Sequence, residues 1–473
     1  MAGRLIVVSN RIPTDDNVSG GLMVALHDAL GYSGGIWIGA HSETSENTDD
    51  IVDLGGTAYR KLAFRLTDEE LQNYYLGYAN SVLWPLCHRR GDLVEMNSDY
   101  QAAYRRVNAR VARILSQVIQ PDDIVWVHDY HFLPLGAEMR RLGVTNRVGF
   151  FLHVPFPSLG DLSVLSQPQE FAADLASYNL IGLQTRADVA RCLEMYRADP
   201  RAEFMNDGSI KFLDRITSVR SFPIGIDTKG FALEAQQNEQ PFGKQAPETF
   251  LIGVDRLDYS KGLPNRFKGF AAYLQRRPDG SQPCLVQIAP PTREKVRAYQ
   301  DITRELEEIA GHVNGSFAEL DWTPLRYIHR SVPRARLARL YRKARACLVT
   351  SLADGMNLVA KEYVAAQDPE DPGVLILSRF AGAAEDMTQA VLINPYDIED
   401  IARAIDVALA MPLAERKARN AALLQVVEAT DVSVWSQNFL RVLKACPADF
   451  DFAPFFPEDT PAPARDIAKL DVA

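Results

Sequence analysis

At 473 residues the chain is longer than one ordinary hydrophobic core supports, so two domains are the first expectation. Its 47% hydrophobic and 24% charged residues suit a soluble globular protein, and a net charge of -10 argues against a nucleic-acid-binding face. A small anionic substrate stays open, because a few cations in a cleft outweigh the bulk charge locally.

The start of the chain, MAGRLIVVSNRIP, has an apolar core too short for a leader and reads as a first strand. No run approaches the length of a membrane span. Cysteines 87, 192, 284, 347 and 446 show neither a CxxC pair nor a metal-like spacing, so they read as reduced core thiols in a cytoplasmic protein.

Strand candidates then follow at 5–9, 36–39, 123–127, 148–152, 180–184 and 216–222, alternating with helical periodicity. Residues 223–248 lose that period and read as a crossing between domains. A second series follows at 249–254, 284–289, 325–329, 346–351, 373–378 and 390–395, with helices expected over 293–309 and 333–343. The expected class is α/β, with two Rossmann-like doubly wound domains, 1–230 and 231–445, and a Pro-, Asp- and Phe-rich irregular tail, 446–473. Ligands of such sheets sit beyond the carboxyl ends of the strands, between the domains.

Those ends are chemically loaded. The first strand leads to Arg11, and Ser19-Gly20-Gly21 precedes a helix, where free N–H groups and the helix dipole suit an anion. Gly-Gly also makes an ordinary tight turn. The dinucleotide GxGxxG is absent from this unit, which removes the main support for a nicotinamide enzyme. After 249–254, Arg256 and Lys261 suggest a diphosphate clamp, unless Arg256 simply pairs with Asp255 or Asp258. After 346–351 comes Asp354-Gly355-Met356-Asn357, ahead of a helix over 358–367. Here the glycine permits a turn that aims N–H groups at one point and Asn357 caps the helix; Glu362 either suits the early helical turns by the dipole alone or, like Asp354, accepts from sugar hydroxyls. Two further strands run into His128-Asp129-Tyr130-His131 and into His153. A metal there lacks an HExxH motif or a carboxylate set. Tyr74-Tyr75 and Ser81 to Pro85, with Trp84, form either an ordinary hydrophobic patch or the aromatic wall and hydrogen-bonding rim of a sugar site.

The segments VVSNRIP, SGGL, NSVLWP, VWVHDYHFLP, GFFLHVPFPS, FPIGID, DRLDYSKGLP, LADGMNLVAKEYVA and SRFAGAA occur in this order from about Arg4 to Trp435. Together they resemble the trehalose-6-phosphate synthases, retaining glucosyltransferases of the GT-B fold. That resemblance implies glucose transfer from a nucleotide diphosphate glucose, usually UDP-glucose, to glucose 6-phosphate. It implies neither cofactor nor metal, and a homo-oligomer is compatible with it. Arg11 and Arg293 would hold the acceptor phosphate beside Tyr75 and Trp84. Asp129 would contact the acceptor sugar and His153 the donor glucose. Gly21, Arg256 and Lys261 would hold the donor diphosphate, Asp354 the donor hydroxyls, Gly355, Met356, Asn357 and Leu358 sugar and phosphate through their backbone, and Glu362 the ribose. The catalytic set would be Asp129, His153, Arg256, Lys261 and Asp354. Two rivals stand beside this reading: another phosphorylated acceptor such as glycerol 3-phosphate, and a silent sugar-nucleotide-binding subunit.

Overall fold

The structure is a computed structural model that describes residues 3–13, 21–48, 51–243, 246–277 and 281–447. In the first half lie β1 (Leu5–Arg11), β2 (Ile36–Ala40), β3 (Val52–Gly55), β4 (Arg60–Phe64), β5 (Ile124–His128), β6 (Val148–Phe151), β7 (Leu180–Leu183), β8 (Ala202–Phe204), β9 (Ile210–Phe212) and β10 (Arg215–Ser221). They form one sheet in the order β3-β4-β2-β1-β5-β6-β7-β10-β9-β8. The second half supplies β11 (Phe250–Val254), β12 (Cys284–Ile288), β13 (Leu325–Ile328), β14 (Ala346–Val349), β15 (Val374–Ser378) and β16 (Val391–Ile393), ordered β13-β12-β11-β14-β15-β16.

The second sheet is parallel throughout. In the first, only β3 against β4 and the β8-β9-β10 meander run antiparallel. The central strands β5, β6, β11, β12 and β14 are almost wholly buried, which explains why they are apolar but for Gln287 in β12 and His128 at the end of β5: helices cover both faces. Strands β3, β4, β8 and β9 were not expected from the sequence. Val52–Gly55 is partly exposed, Arg60–Phe64 opens on two cations, and β8 and β9 have three residues each.

Two helices depart from expectation. The one placed at 293–309 runs instead from Arg297 to Phe317, because Arg293 has a left-handed φ of 50° that no α-helix accepts. Residues Leu71–Leu83 form a π-helix of 13 residues, far longer than the usual single-turn bulge. Its wide turns are pinned by side chains reaching carbonyls five residues back. Asn80 Nδ2 donates to the Tyr75 carbonyl at 2.7 Å and Ser81 Oγ to that of Leu76 at 2.9 Å. A Thr67–Glu70 capping box opens the run, with Glu70 held by Arg110 at 2.6 Å.

The chain crosses between the sheets twice, and the crossings touch. After 223–227 the helix Thr228–Ala235 packs on helices Arg334–Lys343 and Leu358–Ala366 of the second sheet. On the return, Val432 N donates to the Ile226 carbonyl at 3.1 Å, and a Cβ on Gly225 would lie 1.6 Å from the Thr430 carbonyl oxygen. Buried Lys361 ties the two: its Nζ donates to the Ile224 carbonyl (2.7 Å) and to Thr430 Oγ1 (3.1 Å). The last helix, Val432–Ala445, then lies on the first sheet. There Phe439 stacks on Trp126 at 4.6 Å and fills the space left by Gly149 and Gly182.

Candidate active site

The carboxyl ends of β1, β5 and β6 face those of β11, β12 and β14 across a cleft, and the side chains there come from both halves. Three of the five described non-glycine residues with positive φ sit at this mouth: Asp129 (76°), Arg293 (50°) and Asn357 (80°). Backbone strain gathered at one place is a signature of a functional site.

On one side the π-helix presents Tyr75, and the short helix Trp84–Cys87 that follows it presents Trp84, to the guanidinium groups. Arg11, exposed at the end of β1, donates to the Tyr75 hydroxyl at 3.1 Å. Arg293 reaches over from the second half and lies on the Trp84 ring at 3.9 Å, with Arg256 at 5.7 Å from the same ring. Burial works to raise the pKa of the Tyr75 phenol, yet Arg11, Arg293 and Arg256 outweigh it and bring the value below normal. Such a field is made for an anion.

Arg293 is itself held by Asp258 at 3.5 Å, by the Tyr299 hydroxyl, and by the Tyr130 hydroxyl of the first half at 3.0 Å. Burial opposes the Asp258 charge, but Arg293, His88 and Arg256 hold its pKa down at about 2. The Arg293 loop therefore keeps a fixed cation inside the cleft. Tyr130, Asp258 and Tyr299, which carry that cation, gave no sign in the sequence of doing so. Their positions meet only through the fold. His131 stacks on Tyr75 with ring centroids 5.8 Å apart, and both its ring nitrogens are buried without a partner among the described residues.

Deeper in the cleft, Asp129 Oδ1 accepts from the His153 N–H at 3.2 Å, and His153 Nε2 lies 3.1 Å from His128 Nδ1. Burial lowers the His153 pKa to about 3, so the ring is neutral. Burial raises the Asp129 carboxyl to about 6 against two backbone N–H donors and the charges of Arg293 and Arg256. A carboxyl raised in the folded state above its ordinary 3.8 stabilises the fold fully only below that value, and the contribution is lost as pH rises through about 6. Asp129→Asn is therefore expected to raise stability by on the order of 2 kcal/mol at about pH 8 while losing activity. Thermal unfolding of both proteins measured at several pH values checks this: a gap that does not close below about pH 4 would contradict it.

Around the second sheet the sequence-selected residues come together, though not as separate ligands. Lys261 Nζ pairs with Asp354 Oδ2 at 2.6 Å, and Ser351 and Asn357 donate to the same oxygen at 3.1 and 3.0 Å. Burial opposes the Asp354 charge, but Lys261 first, with Asn357, lowers its pKa. Neither Asp255 nor Asp258 takes Arg256: Asp255 pairs with buried Arg266 at 2.7 Å and Asp258 with Arg293. Arg256 stays exposed and has no ion-pair partner among the described residues.

The turn at 354–357 is built differently from expectation. The left-handed φ falls on Asn357, whose side chain caps helix Leu358–Ala366 by accepting from Ala360 N at 3.1 Å. Gly355 is needed for approach, not for its φ: a Cβ there would lie 2.0 Å from the His153 carbonyl oxygen. Met356 is buried and Leu358 opens the helix. Glu362 is half-buried, and burial raises its carboxyl to about 7 despite Arg334. Gly21 is the first residue of helix Gly21–Ser33, while the neighbouring Ser19 and Gly20 lie outside the described residues. Among the described residues no group of three or more His, Cys, Asp or Glu is placed to hold a metal ion.

Two Rossmann-like sheets facing one another over a cleft of fixed cations define a GT-B transferase. The sequence profile described as "Glycosyltransferase family 20" matches residues 7–445, and the chain belongs to that family. Trehalose-6-phosphate synthase of Enterobacter sp. (strain 638) is 43% identical over 451 residues, 93% of this chain and 95% of that protein. The synthase of Sinorhizobium fredii is 43% identical over 457 residues, 93% and 98%. Among solved structures, an α,α-trehalose-phosphate synthase (UDP-forming) from Burkholderia xenovorans in complex with glucose-6-phosphate superposes with a TM-score of 0.89, at 41% identity, covering 93% of this chain and all of that one. An E. coli relative bound with UDP-2-fluoro glucose gives a TM-score of 0.88 at 40% identity, covering 93% and 99%.

Proposed function

We propose that the protein is an α,α-trehalose-phosphate synthase that transfers glucose, with retention, from UDP-glucose to glucose 6-phosphate, releasing UDP. The observation that carries it is the ring of three guanidinium groups, Arg11, Arg256 and Arg293, about Tyr75 and Trp84 between two nucleotide-type sheets. Arg11 and Arg293 serve the acceptor phosphate, and Tyr75 and Trp84 form its wall. Arg256, Lys261, Gly21 and the N–H groups of 355–358 serve the donor diphosphate and sugar, Glu362 the ribose. The solved relatives, one in complex with glucose-6-phosphate and one bound with UDP-2-fluoro glucose, support both substrates. On this reading residues 1–230 chiefly bind the acceptor and residues 231–445 the donor.

Retention is achieved on one face of the sugar. The bond from the anomeric carbon to the β-phosphate oxygen breaks, the bond to the acceptor oxygen forms, and the acceptor's hydroxyl proton passes to the leaving phosphate oxygen. The protein positions both partners and stabilises the departing diphosphate with fixed cations and a helix N-terminus. Asp129 orients acceptor hydroxyls, Asp354 donor hydroxyls, and neutral His153 contributes a hydrogen bond at the donor sugar. The cytoplasm is included in the proposal, since all five cysteines are buried and unpaired. No helix among the described residues is long and apolar enough to cross a membrane.

The test is UDP release from UDP-glucose in EDTA, with glucose 6-phosphate, glycerol 3-phosphate or glucose as acceptor. Release with glucose 6-phosphate alone, giving a non-reducing disaccharide phosphate, is the expected result. Release with glycerol 3-phosphate in its place would overturn the acceptor assignment. Activity lost in EDTA and restored by a divalent ion would overturn the metal-free scheme.

A further inference from the structure

Beyond the substrate contacts, the rim of the cleft carries a fastening between the two halves. The segment at 381–383 is bolted to the donor turn. Asp354 and Ala381 form a parallel bridge, Gly382 N donates to the Asp354 carbonyl at 3.1 Å, and Ala383 N donates to that of Met356 at 2.8 Å. A Cβ on Gly382 would lie 1.9 Å from the Gly355 carbonyl oxygen, so the two strips of backbone move as one body. Two residues further on, Glu385 leaves this body and reaches the other domain.

Its target is the start of helix Arg186–Arg197, which follows β7. The first turn of any helix has N–H groups with no intrahelical acceptor. Here Thr185 Oγ1 satisfies that of Asp188 at 3.0 Å and leaves those of Arg186 and Ala187. Glu385 takes both: Oε1 accepts from Arg186 N at 2.9 Å and Oε2 from Ala187 N at 3.2 Å. The Arg186 side chain closes the ring, with Nε 3.0 Å from Glu385 and Nη2 3.1 Å from Asp386. That side chain is 69% exposed, so the ion pair alone contributes little. The carboxylate on two backbone donors at a helix N-terminus is the stronger part.

We propose that Glu385 is a positioning residue for the transfer, an interdomain latch that forms only when the donor turn has brought its neighbouring strip against helix Arg186–Arg197. This rests on the transferase reading above. Order in the turn at 354–358 and the latch then favour one another, so donor binding and cleft closure are one equilibrium. Glu385 touches no substrate and acts only on how often the cleft is closed.

The experiment measures small-angle scattering of the full chain with and without saturating UDP, and steady-state kinetics, for wild type, Glu385→Ala, Glu385→Gln and Arg186→Ala. Expected are a larger radius of gyration in UDP for Glu385→Ala than for wild type and KM values for both substrates raised roughly tenfold, the scale of one charged hydrogen bond. Glu385→Gln, which keeps one acceptor oxygen, falls between, and Arg186→Ala, which keeps both backbone donors, stays closest to wild type. Added salt opens the wild type but not Glu385→Ala. A Glu385→Ala protein that binds UDP and matches the wild type in scattering and KM overturns the latch and leaves the transferase reading standing. A wild type that fails to bind UDP overturns both.

Discussion

Replacing Arg293 with alanine is expected to raise the KM for glucose 6-phosphate roughly a hundredfold or more, with UDP affinity nearly unchanged. The magnitude follows from about 1.5–3 kcal/mol for each charged hydrogen bond a phosphate would lose. The separation follows from geometry. Arg293 lies on Trp84, beside Tyr130 and in the field that depresses Tyr75, all on the side of the cleft formed by the first half. Arg293→Lys should recover only part of the loss, because an ammonium cannot reproduce the planar fork that meets Tyr130 and Asp258 together. Titration calorimetry with each ligand decides the matter. Equal loss of UDP binding would refute the division of labour. The variant carries a second signature: Asp258, fully buried, loses the first of the charges that hold its pKa at about 2. That depressed pKa contributes stability above the ordinary carboxylate value of 3.8, lost as pH falls through about 2. The variant should therefore be less stable than wild type at neutral pH, with the deficit shrinking in acid.

Lys261→Ala is expected to lower turnover by roughly 10²–10³, the usual effect of deleting one electrostatic donor at the reacting centre. Its amine has two duties. In the free enzyme it neutralises Asp354, at side-chain exposures of 13% and 12% for the pair. In the proposed reaction it shifts toward the departing diphosphate, leaving the Asp354 carboxylate to Ser351, Asn357 and the glucose hydroxyls. Removing the amine thus weakens the diphosphate site and leaves a sheltered carboxylate with two neutral donors. Kinetics at saturating substrates, with a circular dichroism spectrum to show an intact fold, tests this. Unchanged turnover would mean that Lys261 serves only as the counter-ion of Asp354. Arg256, exposed and free of ion pairs among the described residues, has no such second duty, so its loss should reduce turnover with little cost in stability.

How much of this was legible in the sequence depended on where each constraint lies. The core strands were, because β5, β6, β11, β12 and β14 are covered on both faces and stay apolar up to the mouth apart from Gln287 of β12, whose amide oxygen accepts from buried Arg266. Edge strands such as β8 and β9 are too short to show a period. The π-helix at Leu71–Leu83 has no familiar spacing, and only its aromatic content marked it. Cations next to a glycine or strand end, Arg11, Arg256 and Lys261, stood out locally. Arg293 did so only through the family resemblance, since Trp84, Tyr130, Asp258 and Tyr299 are brought to it by tertiary structure. Gly355 was noticed for the wrong reason: its role is to admit the His153 carbonyl from the opposite domain.

The paired crossings have a consequence for anyone who would take the protein apart. A polypeptide ending near residue 230 would hold the first sheet without helix Val432–Ala445, leaving Trp126, Gly149 and Gly182 uncovered where Phe439 now rests. The complementary piece would carry that helix with nothing beneath it. Expressed apart, the halves expose matching apolar faces, and each is a trap for the other's helix or for a second copy of itself. Although the molecule has two sheets and two binding tasks, its backbone does not divide into two inheritable modules. A donor domain exchanged between relatives would have to travel with its final helix left behind, grafted onto the recipient's first sheet.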